Sequence, residues 1–528
     1  MAEVLIFNDV NGLLGFGRYS GPYRIASELR AHGYDVQVIE FFASLSISEF
    51  KTIIDRHVDH KTLVVGIGST LLTKNYSDEE LLSLIKMNNS WMQILNSSYV
   101  ELFPQNEEFI NVFFDYIKTK NYKTKIVVGG HKAQKANKKY KLVDYWIMGQ
   151  GETSIVALCD HLKFGKVLKT LDTEAGVLLT DKMYPYSNFS CSKITWHEND
   201  YLFKNESVPI ETARGCIFKC SFCSFNLNGK KFGDYNKNSF TLHDEFMYNY
   251  EKFGITDYMI ADDTLNDSVE KIDHLHKTIT SLPFKITFSA YCRLDIISSH
   301  FDMAYKLQEM GLTSVNFGIE TFNRDAGKAV GKGANPEKLQ QTLADLKSIW
   351  KDDIYMSAGF IVGLPHETKE SINNTFDYLY NDANPLSAVG VYRLYIRSPT
   401  NIKLGNAVEL DAVIDAGFVK HKEKIVYDNL SKIVTDPEKY NYGIVNDQWS
   451  NQHMSMADAL SLVDNFYASP HAQQKFSMTY FQDYNRIKNL GYNHYEIKNM
   501  YNNNVPQVMD CMERRKKLRS EYLNKVLS

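Results

Sequence analysis

The sequence predicts an α/β protein with two successive parallel-sheet domains and a mainly helical carboxy-terminal region. Short apolar strands alternate with amphipathic helices from the first residues to about 165, and the alternation resumes after about 205. This pattern is typical of parallel strands joined by helical crossovers. The 528 residues also exceed what one hydrophobic core usually holds, because domains average about 150 residues. We therefore expect a multidomain protein.

Composition and charge exclude several other classes. Hydrophobic residues make up 44% of the chain and charged residues 23%, the balance of a folded globular protein. The formal net charge of -4 offers no general attraction for nucleic acid or an anionic membrane. The first residues lack the basic and apolar regions of a secretion signal, and no apolar run approaches the roughly 18 residues of a membrane span. We expect a cytoplasmic protein with neither a nucleic-acid partner nor a membrane partner.

The first predicted domain, residues 1–169, is a doubly wound, Rossmann-like sheet. Residues near 76–108 are rich in Asn and Ser and are expected to form an insertion. Ligand-binding loops are expected at the carboxyl ends of the strands. The predicted strands and helices are, in order, "EVLIF", "PYRIASELRAHG", "DVQVIEFF", "TLVVGIGS", "NEEFINVFFDYIKTK", "KIVVGG" and "DYWIMGQGE".

The second predicted domain, residues 206–415, is a partial (β/α)6 barrel. Residues 170–205 are turn-rich and are expected to be a linker. Barrels of this kind carry their functional groups at the carboxyl ends of the strands. Beyond about 416 the strand signals stop, and residues 416–528 are expected to form a helical substrate-binding or cap region. The predicted barrel strands include "DYMIADD", "KITFSAYCRLD", "SVNFGIE", "IYMSAGFIVG" and "AVGVYRLYI".

Three of the seven cysteines, Cys216, Cys220 and Cys223, lie together in "GCIFKCSFC". Structural zinc normally takes four protein ligands, and no fourth Cys or His is nearby. Three thiolates on a [4Fe-4S] cluster instead leave one iron open to another ligand. The C-x3-C-x2-C spacing, with Phe222 before the last cysteine, therefore predicts an iron–sulfur cluster. The three cysteines are the predicted catalytic and metal-ligating residues.

With this motif, residues 205–415 resemble the radical S-adenosylmethionine (SAM) superfamily, and "ARGCIFKCSFCSF" looks like its cluster loop. The resemblance implies that SAM chelates the open iron. It places "ADDT" near the methionine amino group, Arg293 of "YCRLD" at the carboxylate or ribose, Glu320 of "NFGIE" at the ribose, and "GFIVGLP" beside the adenine. The SAM contacts implied in this way are Phe222, Asp262, Asp263, Ser289, Arg293, Glu320, Gly363 and Leu364.

Strand alternation gives a separate expectation for some of these residues. In "KITFSAYCRLD", Ser289, Tyr291 and Arg293 share one face, so that Cys292 packs outward as a buried structural thiol. In "SVNFGIE", Asn316 and Glu320 share a polar face. These polar faces suit a barrel lumen that binds a zwitterion.

Residues 1–165 are similar to the cobalamin-binding domain that precedes the barrel in one branch of the superfamily. The first loop has Asn11 where a D-x-H-x-x-G motif would have its cobalt-ligating His, so no His ligand is expected from this loop. A degenerate domain that binds no cobalamin is the alternative. The cobalamin contacts implied by the resemblance are Gly12, Ser69, Thr70, Gly129, Gly130, His131, Gly149, Gln150, Gly151 and Glu152.

Two other features leave alternatives open. "DQWSNQHMSMADAL" resembles an element found after the barrel in some of these enzymes, and Trp449 and His453 in it could contact substrate or merely pack. The basic runs at 132–141 and 513–519 could grip a phosphate-bearing substrate, but such runs are usually solvated faces.

The resemblance implies a cobalamin-dependent radical SAM methyltransferase. In such enzymes the reduced [4Fe-4S] cluster cleaves SAM to a 5'-deoxyadenosyl radical, and methylcobalamin donates a methyl group to an unactivated carbon or a phosphorus centre. One alternative is a rearrangement, ring contraction or cyclisation with the same cofactors, and another is a non-catalytic cofactor-binding or regulatory protein. Expected partners are a small-molecule or peptide-sized substrate and an electron donor of the flavodoxin or ferredoxin type.

Overall fold

In the computed structural model the chain forms two compact units. Met1–Lys204 and Met512–Ser528 make up the first unit, and Asn205–Cys511 the second. The predicted insertion near 76–108 falls almost entirely outside the described residues. The residues described are 2–9, 15–72, 107–130, 140–174, 176–186, 188–223, 235–397, 407–409, 417–421, 448–477, 479–500 and 505–528.

The first unit contains a seven-stranded sheet with the strand order β2-β1-β3-β4-β5-β7-β6. Only the pairing of β6 with β7 is antiparallel. The strand VLIF, which lies between two parallel neighbours, is buried along its whole length, as expected for a parallel strand covered on both faces. The strands are β1 (Val4–Phe7), β2 (Val36–Ile39), β3 (Val64–Gly68), β4 (Lys125–Gly129), β5 (Tyr145–Met148), β6 (Leu171–Thr173) and β7 (Gly176–Thr180).

Residues 171–180, expected to belong to the linker, thus extend this sheet. The run GVLLT is too short to be recognised by periodicity within turn-rich sequence. It nevertheless pairs in parallel with β5.

Four described helices belong to this unit: α1 (Ser20–Ala31), α2 (Ile47–His57), α3 (Glu107–Lys120) and α4 (Glu152–Phe164). Ser46 and Glu49 form a capping box that starts α2. The core is rich in edge-to-face aromatic pairs, such as Phe7 with Phe113. The last residues of the chain complete this core, because Tyr522 and Leu523 are buried in it.

The second unit contains a six-stranded sheet in which every pairing is parallel and the strands follow their order in the chain. This is the predicted partial barrel, and the predicted fold class is confirmed. The strands are β8 (Ser207–Ile210), β9 (Asp257–Ile260), β10 (Thr287–Cys292), β11 (Leu312–Glu320), β12 (Tyr355–Val362) and β13 (Ala388–Arg393). The helices among them are α5 (Ser239–Phe253), α6 (Val269–Thr280), α7 (Leu294–Ser299), α8 (Asp302–Glu309), α9 (Arg324–Ala329), α10 (Pro336–Trp350) and α11 (Lys369–Tyr380).

After the barrel, the chain forms two small sheets and five further described helices. The expectation that strands stop at about 416 is wrong, because an antiparallel pair follows that point. Three-residue strands are too short to show a period of two. The elements are β14 (Tyr395–Arg397), β15 (Ala407–Glu409), β16 (Val419–His421), β17 (Gln448–Ser450), α12 (Met456–Ala468), α13 (Pro470–Lys475), α14 (Phe481–Asn489), α15 (His494–Lys498) and α16 (Val505–Leu527).

Helix α14 covers the amino-terminal half of the barrel sheet. Asn485 Nδ2 donates to Asp257 Oδ1 on β9 at 2.9 Å, and Ser314 Oγ on β11 donates to the carbonyl of Phe481 at 2.7 Å. Polar groups at this end of the strands are therefore occupied, whereas the cysteine loop follows the opposite, carboxyl end of β8. Among the described residues, no helix is both long and apolar enough to span a membrane.

Candidate active site

The three clustered cysteines lie in a loop that leaves the carboxyl end of β8. Cys216 is buried, Cys220 and Cys223 are half-buried, and none of these three cysteines forms a disulfide. The two ends of the loop pair with each other: the Arg214 amide donates to the Tyr235 carbonyl at 3.0 Å, and the amide of Lys237 donates to the carbonyl of Thr212 at 2.8 Å. The cysteines are thus carried on a closed loop, of which residues 224–234 are not described.

The donor set fits an iron–sulfur cluster better than a single metal ion. In the described parts of the chain, no three His, Cys, Asp or Glu side chains are arranged to hold one ion. Structural zinc would require four such ligands around one centre. Three cysteines outside disulfides on one short loop instead match a [4Fe-4S] cluster with one iron left open.

Arg293 approaches the cysteine loop from the end of β10. It is 5% exposed and precedes α7 as the residue at its amino-terminal cap. Its Nη1 lies 3.4 Å from Cys220 Sγ, and its guanidinium stacks 3.9 Å from the centre of the Phe218 ring. Asp295 holds it with two hydrogen bonds, of 3.0 and 2.5 Å. The structure therefore brings a predicted SAM contact together with the cysteines.

Glu320 ends β11 in a left-handed conformation with a φ of 69°. The pairing with β12 shifts register between Gly318 and Glu320, so the alternation that places Asn316 and Glu320 on one face does not extend to Glu320. Glu320 Oε1 lies 3.5 Å from Lys332 Nζ, which also donates to the Gly318 carbonyl at 2.5 Å. Burial raises the pKa of Glu320, and the Lys332 ammonium opposes that shift.

Gly363 and Leu364 are held by an acid that the sequence did not single out. Both amides donate to Glu367 Oε2, at 2.8 and 3.0 Å, and Thr321 Oγ1 donates to Glu367 Oε1 at 2.6 Å. Burial raises the pKa of Glu367 to about 7 against the effect of these three bonds. In the sequence, the position of this glutamate, between a G-x-P turn and the next helix, could have indicated that it binds the backbone of the turn.

Asp262 and Asp263 follow β9 but have different surroundings. Asp262 Oδ1 accepts the amides of Thr212 and Ala213 at 2.8 and 2.9 Å, and Oδ2 lies 3.0 Å from Lys271 Nζ. The Asp263 side chain forms no hydrogen bond or ion pair within the described residues, although its backbone carbonyl accepts the Thr264 hydroxyl at 2.8 Å. Burial, together with the Asp262 carboxylate, raises the pKa of Asp263 to about 7.

Phe222 and Ser289 are the remaining predicted SAM contacts. Phe222 is buried in the cysteine loop. Ser289 is fully buried in the middle of β10, and its hydroxyl has no hydrogen-bond partner in the described part of the chain. Cys292, expected to be a structural thiol, is buried, and burial raises the pKa of its thiol to about 12.

In the first unit, predicted cobalamin contacts meet at the carboxyl edge of the sheet. The amide of Ser69, after β3, donates to the carbonyl of Gly129 on β4 at 2.7 Å, and the amide of Gly130 donates to the Ile147 carbonyl on β5 at 3.2 Å. Thr70 is the next residue along the loop. Gly12 and His131 lie outside the described residues.

The loop from Gly149 to Glu152 continues this edge into α4. Gly149 has a φ of 83°, and a Cβ atom there would overlap the Asp181 carboxylate. The same carboxylate accepts the amide of Gln150 at 3.4 Å. Gly151 caps α4, and Glu152 is buried with Oε1 at 3.9 Å from Arg24 Nε. Such a glycine-lined edge allows a ligand to approach the backbone closely, which fits a large cofactor.

Trp449 and His453 have separate environments. Trp449 is 1% exposed, donates from Nε1 to the Leu394 carbonyl at 2.9 Å and packs against Gly363, where a Cβ would lie 2.5 Å from the indole. His453 is exposed and hydrogen-bonded to Gln452. Packing therefore accounts for Trp449.

Comparison with known families identifies the second unit. Residues 210–379 match the family model of the radical SAM superfamily. The chain contains a radical SAM domain. The match begins at the last residue of β8 and includes the cysteine loop, Arg293, Glu320 and Gly363. Beyond that residue it covers four of the six barrel strands, β9 to β12.

Solved structures with the same fold also cover residues outside this domain, and one of them covers nearly the whole chain. The methyltransferase TsrM from Kitasatospora setae, with cobalamin and a [4Fe-4S] cluster bound, superposes with a TM-score of 0.62 at 13% identity, covering 98% of this chain and 100% of TsrM. The cobalamin-dependent SAM radical enzyme OxsB superposes with a TM-score of 0.53 at 15% identity over 74% of this chain and 53% of OxsB. These structures show a shared fold, and the family match to residues 210–379 confirms the predicted radical SAM domain.

Curated relatives are more similar in sequence but shorter in overlap. An uncharacterized methyltransferase, PH0819 from Pyrococcus horikoshii, is 27% identical over 45% of this chain and 52% of its own length. An anaerobic magnesium-protoporphyrin IX monomethyl ester cyclase from Cereibacter sphaeroides is 25% identical over 41% of this chain and 35% of its own length. The chain thus spans about half or less of these curated relatives. The individual SAM and cobalamin contacts stay predictions.

Proposed function

We propose that this protein is a cobalamin-dependent radical SAM methyltransferase. The observation that carries the proposal is that the same chain contains two sheets whose carboxyl edges differ in chemistry. One edge presents Cys216, Cys220 and Cys223 on a loop beside Arg293, and the other presents the glycine loops of β4 and β5. The TsrM fold contains the same two parts, and the TsrM structure holds cobalamin and a [4Fe-4S] cluster.

The side chains of the barrel edge have distinct proposed tasks. Cys216, Cys220 and Cys223 hold the cluster, and Arg293 offers a guanidinium, already fixed by Asp295, to a ligand carboxylate. Glu320 accepts hydrogen bonds from ribose hydroxyls, and the nearby Lys332 ammonium favours its charged form. A [4Fe-4S] cluster with SAM on its open iron supplies reductive cleavage of the sulfonium, and the protein excludes water from the product of that step.

The first unit is proposed to hold cobalamin, which supplies a transferable methyl group when bound. Ser69, Thr70, Gly129, Gly130 and the loop 149–152 place backbone groups at one edge without bulky side chains. Because Asn11 replaces the His of the D-x-H-x-x-G pattern, we propose that this loop gives the cobalt no His ligand.

The substrate is proposed to be a small molecule with an unactivated carbon, or a phosphorus centre, as the methyl acceptor. A small-molecule acceptor is supported by TsrM, for which a structure with tryptophan substrate and a SAM analogue exists. The electron for SAM cleavage is proposed to come from an external flavodoxin or ferredoxin. The protein is proposed to act in the cytoplasm.

The test is anaerobic reconstitution of the full chain with iron, sulfide and hydroxocobalamin, followed by gel filtration and a SAM cleavage assay. We expect about four irons per chain, retained cobalamin and 5'-deoxyadenosine after reduction. A protein that takes up iron but releases all cobalamin would contradict the role of the first unit. Absence of both the cluster and 5'-deoxyadenosine would contradict the whole proposal and support a non-catalytic protein.

A second candidate is a radical rearrangement or cyclisation with the same cofactors. It is favoured by the 25% identity to a protein named as a monomethyl ester cyclase. Product mass separates the two candidates, because methyl transfer adds one CH2 to the substrate, whereas a rearrangement leaves the mass unchanged and a ring closure between two hydrogen-bearing atoms lowers it by two hydrogens. Deuterium from a labelled SAM methyl group would appear in the product only if the first proposal holds.

A further inference from the structure

Two adjacent acids at the end of β9 are used in different ways. Asp262 is 2% exposed, and both of its oxygens are occupied by donors from the protein. Oδ1 accepts the amides of Thr212 and Ala213, while Oδ2 accepts the Thr212 hydroxyl and pairs with Lys271. The side chain of the neighbouring Asp263 forms no hydrogen bond or ion pair in the described part of the chain. Of these two acids, only Asp263 therefore has a carboxyl group open to a ligand.

The partners of Asp262 lie immediately before the first cysteine. Thr212 and Ala213 stand four and three residues ahead of Cys216, so the carboxylate fixes the backbone from which the cysteine loop departs. The bond lengths of 2.8 and 2.9 Å to the two amides are those of strong hydrogen bonds to a charged acceptor.

Lys271 carries the connection to the other side of Cys216. Its side chain is 1% exposed, and Nζ donates to the Thr264 carbonyl at 2.8 Å. Thr264 Oγ1 in turn lies 3.7 Å from Cys216 Sγ. Asp262 and Lys271 thus brace both the backbone before Cys216 and a group beside its sulfur.

The returning end of the loop reaches the same buried network. The Tyr235 hydroxyl donates to Asp267 Oδ2 at 2.6 Å, and Asp267 Oδ1 lies 4.0 Å from Lys271 Nζ. The Tyr235 carbonyl accepts the Arg214 amide. Both ends of the cysteine loop are therefore fastened to the ion pair between Asp262 and Lys271.

We propose that Asp262 is a positioning residue for the cluster and not a contact of SAM. The inference rests on the proposed function, because it assigns a role toward the cluster that the three cysteines would hold. A SAM ammonium group would find no open oxygen on Asp262, since four donors already surround it. Removing one partner of a buried ion pair leaves the other charge unpaired, so the loop would lose its fixed geometry. Groups behind a metal ligand commonly affect metal affinity in this way.

The experiment compares Asp262→Asn with Asp263→Asn in the full reconstituted chain. Both changes replace a carboxyl group by an amide of nearly the same shape at adjacent positions, so a difference in iron retention between them reflects the hydrogen bonds and the ion pair of Asp262. We measure iron and sulfide per chain, iron loss to a chelator, the EPR spectrum of the reduced cluster and the Kd for SAM. Asp262→Asn is expected to weaken iron retention about 10- to 100-fold and to alter the EPR spectrum. Asp263→Asn is expected to retain iron as the wild type does and to bind SAM more weakly.

A second pair of variants, at Thr212, makes a smaller change and keeps the inference testable if Asp262→Asn misfolds. Thr212→Val keeps the side-chain shape and removes only the hydroxyl that donates to Asp262, whereas Thr212→Ser keeps the donor. We expect a smaller loss of iron retention for Thr212→Val and wild-type behaviour for Thr212→Ser. Wild-type iron retention and EPR spectra in both Asp262→Asn and Thr212→Val would overturn the inference and leave the proposed function intact. A wild-type chain that takes up no cluster would overturn both.

Discussion

The two parallel sheets of this protein have carboxyl edges of opposite character. In the first unit the edge is made of backbone, with Gly130 at a φ of 114° and Gly149 at 83°. In the second unit the edge is made of buried charge, and its groups come in fixed pairs. These pairs are Asp262 with Lys271, Arg293 with Asp295, and Glu320 with Lys332.

The difference follows from what each edge is proposed to hold. A backbone edge without side chains leaves room for a broad ligand to lie against the loops. A charged edge suits a zwitterion and a metal cluster, since buried charges that are already paired and oriented need little reorganisation when a ligand arrives. One type of sheet therefore serves two kinds of ligand through the residues that follow its strands.

The largest effect is expected from a substitution that removes the metal site of the charged edge. Cys220→Ala leaves only two thiolates, too few for a cluster with a single open iron. We expect complete loss of cluster absorbance and of SAM cleavage. The matched control is Cys191→Ala, an exposed cysteine of the first unit, which should behave as the wild type. Surviving SAM cleavage in Cys220→Ala would contradict the cluster assignment.

The second prediction concerns the pH dependence of the free energy of unfolding of the second unit. Burial raises the pKa of Glu367 from 4.5 to about 7, so its neutral form is favoured in the folded state. The unfolded chain then releases this proton first as pH rises, and the free energy of unfolding falls by up to about 3 kcal/mol between pH 4.5 and 7. Chemical denaturation of the wild type and Glu367→Gln across this range measures the effect. Equal slopes in both proteins would show that Glu367 does not titrate there.

A third prediction tests whether a charged pair of the barrel edge contacts SAM. Glu320→Gln removes the negative charge 3.5 Å from Lys332 while keeping the side-chain shape. We expect the Kd for SAM to rise about 10- to 100-fold with unchanged iron content, because one hydrogen bond from a charged group is lost. Calorimetry on the reconstituted protein measures the Kd. Glu309→Gln, on the surface beside His276, is the control, and an equal Kd in both variants would exclude Glu320 as a contact.

The smallest expected effect tests the backbone edge. Gly149→Ala places a Cβ against Asp181 at a left-handed position, at a cost of about 1–2 kcal/mol from the backbone alone. Gly165→Ala is the matched control, since Gly165 also has a positive φ, of 70°, but open space around its Cβ position. We expect cobalamin retention through gel filtration to fall about 10-fold for Gly149→Ala only. Equal retention would place cobalamin away from this loop.

The sequence predicted the long, regular parts of both units and the cysteine motif. Strands such as "KIVVGG" and "SVNFGIE" follow patterns that parallel sheets produce, and the spacing of Cys216, Cys220 and Cys223 is local in the chain. Features that depend on contacts between residues far apart in the chain could not be predicted from the sequence. The register shift before Glu320 depends on its neighbour strand, and the pairing of β16 with β17 joins residues far apart in sequence.

The residues that support the site were also not predicted from the sequence, although one of them, Lys271, has an unusual position in its helix. Lys271 lies on the face of α6 that carries Leu275 and Thr278, and all three are buried. A lysine at an apolar position of an amphipathic helix indicates a buried partner, but the pattern does not say which acid that partner is. The choice between Asp262, Asp263 and Asp267 required coordinates.

The closing segment of the chain has a consequence for biosynthesis. Tyr522 and Leu523 lie in the aromatic core of the first unit, and the Tyr522 hydroxyl oxygen accepts the amide of Glu40 at 3.0 Å. The ribosome releases Met512–Ser528 only after the entire second unit has been translated. The first unit must therefore wait, with part of its core uncovered, while the cysteine-bearing barrel emerges and folds. The core of the first unit is thus completed only after the second unit has been made, although the strands of the first unit are made earlier.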